Sequence, residues 1–327
     1  MKEALKGVRL LDVTYYVPGP YAGMRLAELG AEVIKVEPPE GDPARFMGGG
    51  YVHEANNRGK KIVHIDLKSD EGRMEMLELV KTADALIETF RPGVMKKLGL
   101  DYDSLKVIKP DLVYCSLSGY GQTGEMARLG SHDLNYMALS GALDQLKDRT
   151  GKPIHPTNTW ADFTGGLMAS EQLIGALLQK FRTGQGQYLD IALAEVMAAF
   201  LGNHDQYQAV GISENGIPEI GGTRISYAIY ETKDGRYMTL GALEMKFWQV
   251  FCAFAEQPQW LDWREKPQGS QEHKQVMEFF KSKTWQEWYQ ISLHVDACLA
   301  PVLTAHERHA HPFFIDQTTR KKELDVT

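Results

Sequence analysis

Short apolar runs alternate with amphipathic segments through the first half of the chain. The runs have the length and the β-branched content of buried strands, and the segments between them carry apolar residues at helical spacing. The runs span residues 8–13, 31–36, 61–66, 85–88 and 112–117, with a further one at 187–191. Such alternation predicts an α/β fold with a large, doubly wound and mainly parallel sheet.

Turn and capping residues mark the ends of several elements. Gly30 follows the first helical segment, where glycine commonly ends a helix. Ser69 precedes the helical pattern that follows the third run and predicts an N-cap. Asp234-Gly235 separates two short runs and predicts a β-hairpin. Because the pattern changes near residue 200, we predict a large α/β domain over residues 1–200 and a smaller α+β domain over 201–327.

Composition narrows the class of protein. The chain has 327 residues, of which 43% are apolar and 24% charged, as in globular proteins. No run approaches the roughly 18 apolar residues of a membrane span, so we expect no membrane association. The net charge of -7 argues against nucleic-acid binding. Three widely spaced cysteines and an N-terminus without an apolar signal segment favour a cytoplasmic location.

Common cofactor and metal motifs are absent from the sequence. No predicted strand leads into a GxGxxG turn, and the P-loop pattern GxxxxGK[ST] does not occur. The ten histidines show no HExxH spacing. Nicotinamide and P-loop chemistry are therefore disfavoured, and we expect neither a cofactor nor a metal.

A series of motifs resembles CoA-transferase family III, the CaiB/BaiF type, whose superfamily includes the α-methylacyl-CoA racemases. In chain order they lie at residues 7–12, 18–20, 29–37, 57–61, 65–68, 90–93, 118–121, 161–162 and 182–187. The resemblance covers nearly the whole chain. It implies an acyl-CoA substrate, of which CoA is a part, and a two-domain subunit that forms an interlocked homodimer. Relatives run longer, so the resemblance also implies a shortened C-terminal return to the large domain.

Two segments resemble the racemase branch in particular. Residues 131–136 resemble the pattern G-H-D-x-N-Y, whose histidine is a catalytic acid/base, with Ser131 in place of glycine. Residues 241–247 resemble G-A-x-E-x-x-F around Glu244. The resemblance implies an isomerase of lipid metabolism that racemises 2-methyl-branched acyl-CoA thioesters. Its catalytic residues would be His132 and Asp162, with Glu244 orienting His132.

The chemistry of racemisation supports this pair. Inverting a stereocentre next to a thioester carbonyl requires one group that removes a proton and a second that returns one on the opposite face. His132 and Asp162 both lie at predicted helix N-termini, whose amides could also receive the enolate oxygen. Each residue has an ordinary alternative, because a histidine at a helix start is commonly solvated and an aspartate there commonly caps the helix.

The resemblance also implies the CoA-binding residues. They are Ile65, Asp66, Leu67, Lys68, Thr89, Phe90, Arg91, Pro92, Gly93, Lys97, Ser131, Asp133, Leu134, Asn135 and Tyr136. The chain departs from the family at Pro38, where relatives often have an arginine. Affinity for the nucleotide end would then be weaker, or would depend on Lys35 or Arg45.

Two other functions stay open. An acyl-CoA:carboxylate CoA-transferase would use Asp162 as a nucleophile and pass through anhydride and thioester intermediates. A CoA-thioester-binding protein without turnover would bind the same ligand and do neither. Exchange of the α-proton, transfer of CoA to a carboxylate, and binding alone distinguish the three functions.

Overall fold

The chain forms two compact units, Met1–Gly202 and Asn203–Thr327. The computed structural model describes residues 3–148, 150–212 and 216–315. The domain boundaries predicted from the sequence remain a prediction, because compactness does not test whether a segment folds independently. The shortened C-terminal return falls at the end of the chain, outside the described residues.

A six-stranded parallel sheet is the centre of the first unit. Its strands are β1 (Arg9–Val13), β2 (Glu32–Glu37), β3 (Lys61–His64), β4 (Ala85–Glu88), β5 (Val113–Ser118) and β6 (Tyr188–Ala192). They lie in the order β3-β2-β1-β4-β5-β6, and every neighbouring pair is parallel. The predicted α/β fold class is therefore confirmed.

Helices cover both faces of this sheet. They are α1 (Pro18–Glu28), α2 (Tyr51–Asn56), α3 (Asp70–Lys81), α4 (Val94–Leu98), α5 (Tyr102–Ile108), α6 (Asp133–Leu139), α7 (Trp160–Thr183) and α8 (Leu193–Ala199). Leu10 of β1 packs in a core with α1 and α7, whereas Leu11 packs on the opposite face with α3, α4 and α5. Alternate strand residues thus fill two cores. In the described part of the chain, no helix is long and apolar enough to cross a bilayer.

Glycine allows α7 to lie close to α1. A Cβ atom on Gly166 would stand 2.5 Å from the carbonyl oxygen of Pro18, which real Cβ atoms do not tolerate. The second turn of α7 therefore packs directly against the start of α1. This contact matters for the candidate site, because both helices begin at the edge of the sheet where the strands end.

The second unit packs helices on a small antiparallel sheet. Its elements are α9 (Gly202–Ala209), which begins at the division, β7 (Tyr227–Glu231), β8 (Tyr237–Gly241), α10 (Met245–Phe254), α11 (Gln271–Lys281), α12 (Trp285–Ser292), β9 (Leu299–Pro301) and α13 (Ala305–Ala310). The strand order is β7-β8-β9, and β7 and β8 form the predicted hairpin. Trp248 and Trp288 are 0% exposed in its core. Each indole nitrogen donates to a backbone carbonyl at 2.8 Å.

Buried charges hold β1 and β2 together at their carboxyl ends. Asp12 of β1 and Lys35 of β2 are register partners, and both are 0% exposed. The Lys35 ammonium lies 3.0 Å from Asp42 and also donates to the carbonyl of Thr14. Lys60 reaches Asp12 at 2.6 Å. Burial raises the pKa of Asp12, but the two lysines outweigh it and the pKa lies below its ordinary value.

Both basic residues proposed for the nucleotide end have carboxylate partners in the structure. The prediction for Lys35 is wrong, because its ammonium is fully buried between two carboxylates. Arg45 donates to both carboxylate oxygens of Glu37, at 2.7 and 3.0 Å. His53 contacts the same carboxylate at 2.8 Å. These cations shape the turn after β2.

Replacing Lys35 tests the stability of this network. Lys35→Met leaves the buried Asp42 carboxylate without its cation and leaves Asp12 with Lys60 alone, so we expect a loss of about 3–5 kcal/mol in the free energy of unfolding. Urea unfolding at neutral pH measures it. Lys97→Met, on the exposed surface of α4, is the matched control and should change stability by less than about 0.5 kcal/mol. Equal stability of the two variants would contradict the network's role.

Candidate active site

A cavity of 510 Å³ lies at the carboxyl ends of β1, β4, β5 and β6. The sheet order reverses between β1 and β4, and open α/β sheets bind ligands at such a reversal. The ends of these strands and the segments after them supply much of its lining. They contribute Tyr15, Tyr16 and Pro18, then Thr89, Phe90, Arg91 and Pro92, then Leu117, Ser118, Gly119 and Tyr120, and finally Leu193. The cavity is also lined by Ala127, Leu129, Gly130, Ser131, His132, Asn135, Tyr136 and Asp162.

His132 enters the cavity as the N-cap residue of α6. Its backbone is extended, with φ -138° and ψ 174°, and its side chain is exposed. Asn135 forms two hydrogen bonds with the backbone of His132. The Asn135 side-chain oxygen accepts from the His132 amide at 3.0 Å, and the Asn135 amide donates to the His132 carbonyl at 2.8 Å. The helix start therefore fixes the backbone that carries the imidazole.

Asp133 links α6 to α7. It is the first residue of α6 and is 8% exposed. Its carboxylate accepts a hydrogen bond from the backbone amide of Asp162 at 3.0 Å, so it caps the first turn of α7. This bond places Asp162 on the cavity that His132 also lines. The carboxylate expected to contact CoA thus has a structural partner.

Two of the helix-start amides that could receive an enolate oxygen already have partners. The Asp162 amide donates to Asp133, and the His132 amide donates to Asn135. These two amides are therefore unavailable to an oxyanion, and a role for the other amides in the first turns of α6 and α7 stays a prediction. The side chains of Asn135 and Asp133 accept hydrogen bonds from these two amides, which the sequence pattern did not reveal.

Burial changes the acidity of Asp162. Burial, and then the nearby Asp133 carboxylate, raise the pKa of Asp162 to about 7. A helix N-terminus favours a carboxylate by only about 0.3–1 kcal/mol, which is too little to offset these two effects. Near neutral pH the carboxyl exists in both protonation states, which suits a group that gives and takes protons.

Tyr136 and Ser131 form the wall beside His132. The Ser131 hydroxyl lies 3.0 Å from the Tyr136 hydroxyl, and burial raises the pKa of Tyr136. Gly119 makes this arrangement possible. A Cβ atom there would lie 2.5 Å from the Ser131 oxygen and 2.5 Å from the Tyr136 ring. The serine in place of the family's glycine therefore holds a cavity tyrosine in position.

The cavity lining also contains Tyr15 and Tyr16, of which sequence reasoning left Tyr15 unassigned. Tyr16 has φ 66°, a left-handed conformation that is uncommon for residues other than glycine. The Tyr15 amide donates to the Thr89 hydroxyl at 3.1 Å, and its ring packs edge-on against Phe90 at 5.3 Å. Their position directly after β1 was the available signal, because ligands bind beyond strand ends.

The structure brings part of the predicted set together. Of the predicted residues, the cavity is lined by Thr89, Phe90, Arg91, Pro92, Ser131, His132, Asn135, Tyr136 and Asp162. The others lie outside its lining: Ile65, Asp66, Leu67, Lys68, Gly93, Lys97, Asp133 and Leu134. Glu244 belongs to the second unit, where it is the exposed N-cap residue of α10. Their proposed roles in binding or catalysis stay predictions.

The chain belongs to CoA-transferase family III, which its sequence matches over residues 5–323. This confirms the resemblance seen in the motifs. In Homo sapiens, alpha-methylacyl-CoA racemase is 35% identical over 99% of this chain and 85% of that protein. In Mus musculus, succinyl-CoA:glutarate CoA-transferase is 33% identical over 80% of this chain and 61% of that protein.

A solved structure agrees with this assignment. A CAIB/BAIF family protein from Brucella suis has a TM-score of 0.82 and 28% identity, and covers 95% of this chain and 87% of its own. The similar proteins include both racemases and CoA-transferases. The chain is therefore an enzyme of the CoA-transferase/racemase type, and its specific reaction depends on the site.

The raised pKa of Asp162 predicts how stability depends on pH. The unfolded carboxyl ionises near 3.8, whereas the folded one ionises near 7. Stability of the native protein should therefore fall as pH rises from about 4 to about 7 and then level off. Asp162→Asn removes this loss, so its stability advantage should grow by about 2–4 kcal/mol between pH 4 and pH 8.

Urea unfolding of both proteins across this pH range measures the difference. Asp103→Asn, on the exposed surface of α5, is the control, and its difference from the native protein should vary little with pH. If the Asp162→Asn difference were as flat as the control's, the carboxyl would not be buried in its neutral form.

Proposed function

We propose that the protein racemises 2-methyl-branched or related acyl-CoA thioesters by 1,1-proton transfer. His132 and Asp162 are the two acid/base groups, and an enolate is the intermediate. The observation that carries this proposal is that both side chains line one cavity, at the starts of α6 and α7. The likeness to alpha-methylacyl-CoA racemase supports it.

The reaction needs no proton donor or acceptor other than these two residues. In one direction a ring nitrogen of His132 takes the α-proton, and the electrons of the C–H bond move to the thioester oxygen. The carboxylic acid of Asp162 then gives its proton to the opposite face of the α-carbon. The reverse direction begins with the Asp162 carboxylate as base. Each direction leaves one proton shared between the two residues, so either enantiomer is a substrate.

Hydroxyl groups in the cavity are candidate donors for the enolate oxygen. The amides of His132 and Asp162 are engaged, whereas the hydroxyl-bearing side chains of Tyr120 and Tyr136 line the same cavity. Donors that are fixed before the reaction stabilise developing charge without reorganising. The Ser131–Tyr136 hydrogen bond provides such fixation.

The rest of the proposal concerns the CoA portion and the assembly. Arg91 is exposed and lines the cavity, where its guanidinium suits a phosphate. By resemblance, the segments 65–68, 89–93 and 131–136 with Lys97 contact CoA, and Glu244 orients His132. We also propose a cytoplasmic homodimer that acts in lipid metabolism.

A CoA-transferase is the second candidate function. The likeness to succinyl-CoA:glutarate CoA-transferase favours it, since Asp162 would then attack the thioester as a nucleophile. The burial of Asp162 argues against this role. A nucleophile must be ionised, and a pKa of about 7 keeps a large share of this carboxyl protonated at neutral pH.

Proton exchange tests the racemase. In D2O, the native protein should exchange the α-proton of (2R)- and (2S)-2-methyldecanoyl-CoA and interconvert them, as followed by 1H NMR and chiral analysis. His132→Ala and Asp162→Asn should each reduce interconversion by at least about 100-fold, the usual contribution of a positioned acid or base. Ser140→Ala, at the C-terminal end of α6 and away from the cavity lining, is the control and should retain activity.

A parallel reaction with glutarate or succinate tests CoA transfer. Transfer without α-proton exchange, together with a covalent adduct at Asp162, would refute the racemase and support the transferase. Tight acyl-CoA binding with neither reaction would identify a binding protein. Full exchange in both catalytic variants would show that other residues perform the chemistry.

A further inference from the structure

A second buried carboxyl, Glu88, lies at the end of β4 directly before the cavity segment. It is 3% exposed, and its two oxygens have different partners. One oxygen accepts from the Phe90 amide at 2.6 Å, and the other contacts the Ser116 hydroxyl at 2.5 Å. Glu88 thus binds the backbone of the turn that follows its own strand.

The hydrogen-bond chain continues across the sheet. The Tyr188 hydroxyl of β6 donates to the Ser116 hydroxyl at 3.1 Å. Register places Glu88, Ser116 and Asp190 side by side on β4, β5 and β6. Asp190 accepts from the Gln122 amide at 3.1 Å, in the segment after β5. Two carboxylates at the sheet edge therefore hold the two segments that form the cavity.

The turn that Glu88 holds is directly connected to the candidate site. Thr89, Phe90 and Arg91 all line the 510 Å³ cavity. Thr89 accepts from the Tyr15 amide, and Phe90 packs on the Tyr15 ring, so the turn also supports the wall after β1. Glu88 does not line this cavity itself. A change at Glu88 would reach bound substrate only through these residues.

We propose that Glu88 is a positioning residue for CoA-thioester binding, and that its ionisation tightens the Thr89–Arg91 turn and hence the binding of substrate. This inference rests on the proposed function of the cavity as a CoA-thioester site. A charge-assisted hydrogen bond to the Phe90 amide is stronger than a neutral one. The ionised form therefore holds the turn more firmly than the protonated form.

The surroundings of Glu88 make this ionisation accessible near neutral pH. Burial raises the pKa of Glu88 to about 7, Ser116 and the Phe90 amide oppose the rise, and Asp190 adds to it. A separate cavity of 190 Å³ lies against Glu88, and it gives the proton a route to solvent. The other charged or titratable groups lining that cavity are Arg91, Lys96, Asp101, Tyr102, Asp103, Tyr114 and Tyr188.

Calorimetric titration with 2-methylpropanoyl-CoA from pH 6 to pH 8.5 tests the proposal. This thioester has an α-proton but no stereocentre, so binding is measured without net turnover. Glu88→Gln keeps the shape and stays neutral. We expect native binding to tighten about fivefold with rising pH relative to Glu88→Gln. Ionisation of the CoA phosphates and of Asp162 contributes to both proteins and cancels in the ratio.

Two further variants should move the midpoint of this pH dependence in opposite directions. Ser116→Ala removes a hydrogen bond that stabilises the ionised form, so the midpoint should rise. Asp190→Asn removes a repelling charge but keeps an acceptor for Gln122, so the midpoint should fall. We expect about half a pH unit in each case. A purely structural role for Glu88 would predict neither shift, and these variants also serve if Glu88→Gln does not fold.

The outcomes separate the inference from the proposed function. The kcat of proton exchange should be nearly unchanged in Glu88→Gln while KM rises, because Glu88 touches no reacting atom. If native pH dependence survives in Glu88→Gln, or if neither neighbouring variant shifts the midpoint, the inference is overturned and the racemase proposal stands. If the native protein fails to bind the thioester at all, both fall.

Discussion

The hydrogen bond from the Asp162 amide to the Asp133 carboxylate is the contact on which the candidate site depends. It joins the starts of two helices that are far apart in the chain. His132 precedes this carboxylate by one residue, and Asp162 carries the amide that it binds. One side chain thereby fixes both proposed acid/base groups on one cavity. Its negative charge also helps to keep Asp162 partly protonated.

Other buried carboxyls have similar roles along the same edge of the sheet. Asp12 and Asp42 form ion pairs with Lys35, which donates to the Thr14 carbonyl in the segment before Tyr16. Glu88 holds the Phe90 amide, and Asp190 holds the Gln122 amide. Glu88 and Asp190 accept hydrogen bonds from amides of irregular backbone that would otherwise lack a partner. The cavity is formed by loops, but buried polar contacts to rigid strands determine the shape of those loops.

The sequence predicted the strands well because their signals are local. Each apolar run was bounded by turn residues, and burial on both faces of a parallel sheet requires such runs. Lys35 was misread as a ligand for phosphate. Its register partner Asp12 on the neighbouring strand was the missing information, because two opposite charges in adjacent buried strands indicate an ion pair.

What the sequence determined by itself was the order of elements, the family and the identity of His132 and Asp162 as candidates. These depend on local patterns and on motifs that survive in the primary structure. Only the tertiary structure decided which cations are already paired, which helix-start amides are engaged, and that Asp162 is half-buried beside Asp133. These properties arise from groups separated by tens of residues, such as the 29 between Asp133 and Asp162. Their contacts exist only once the sheet and helices have packed, because burial and pairing are properties of the folded chain.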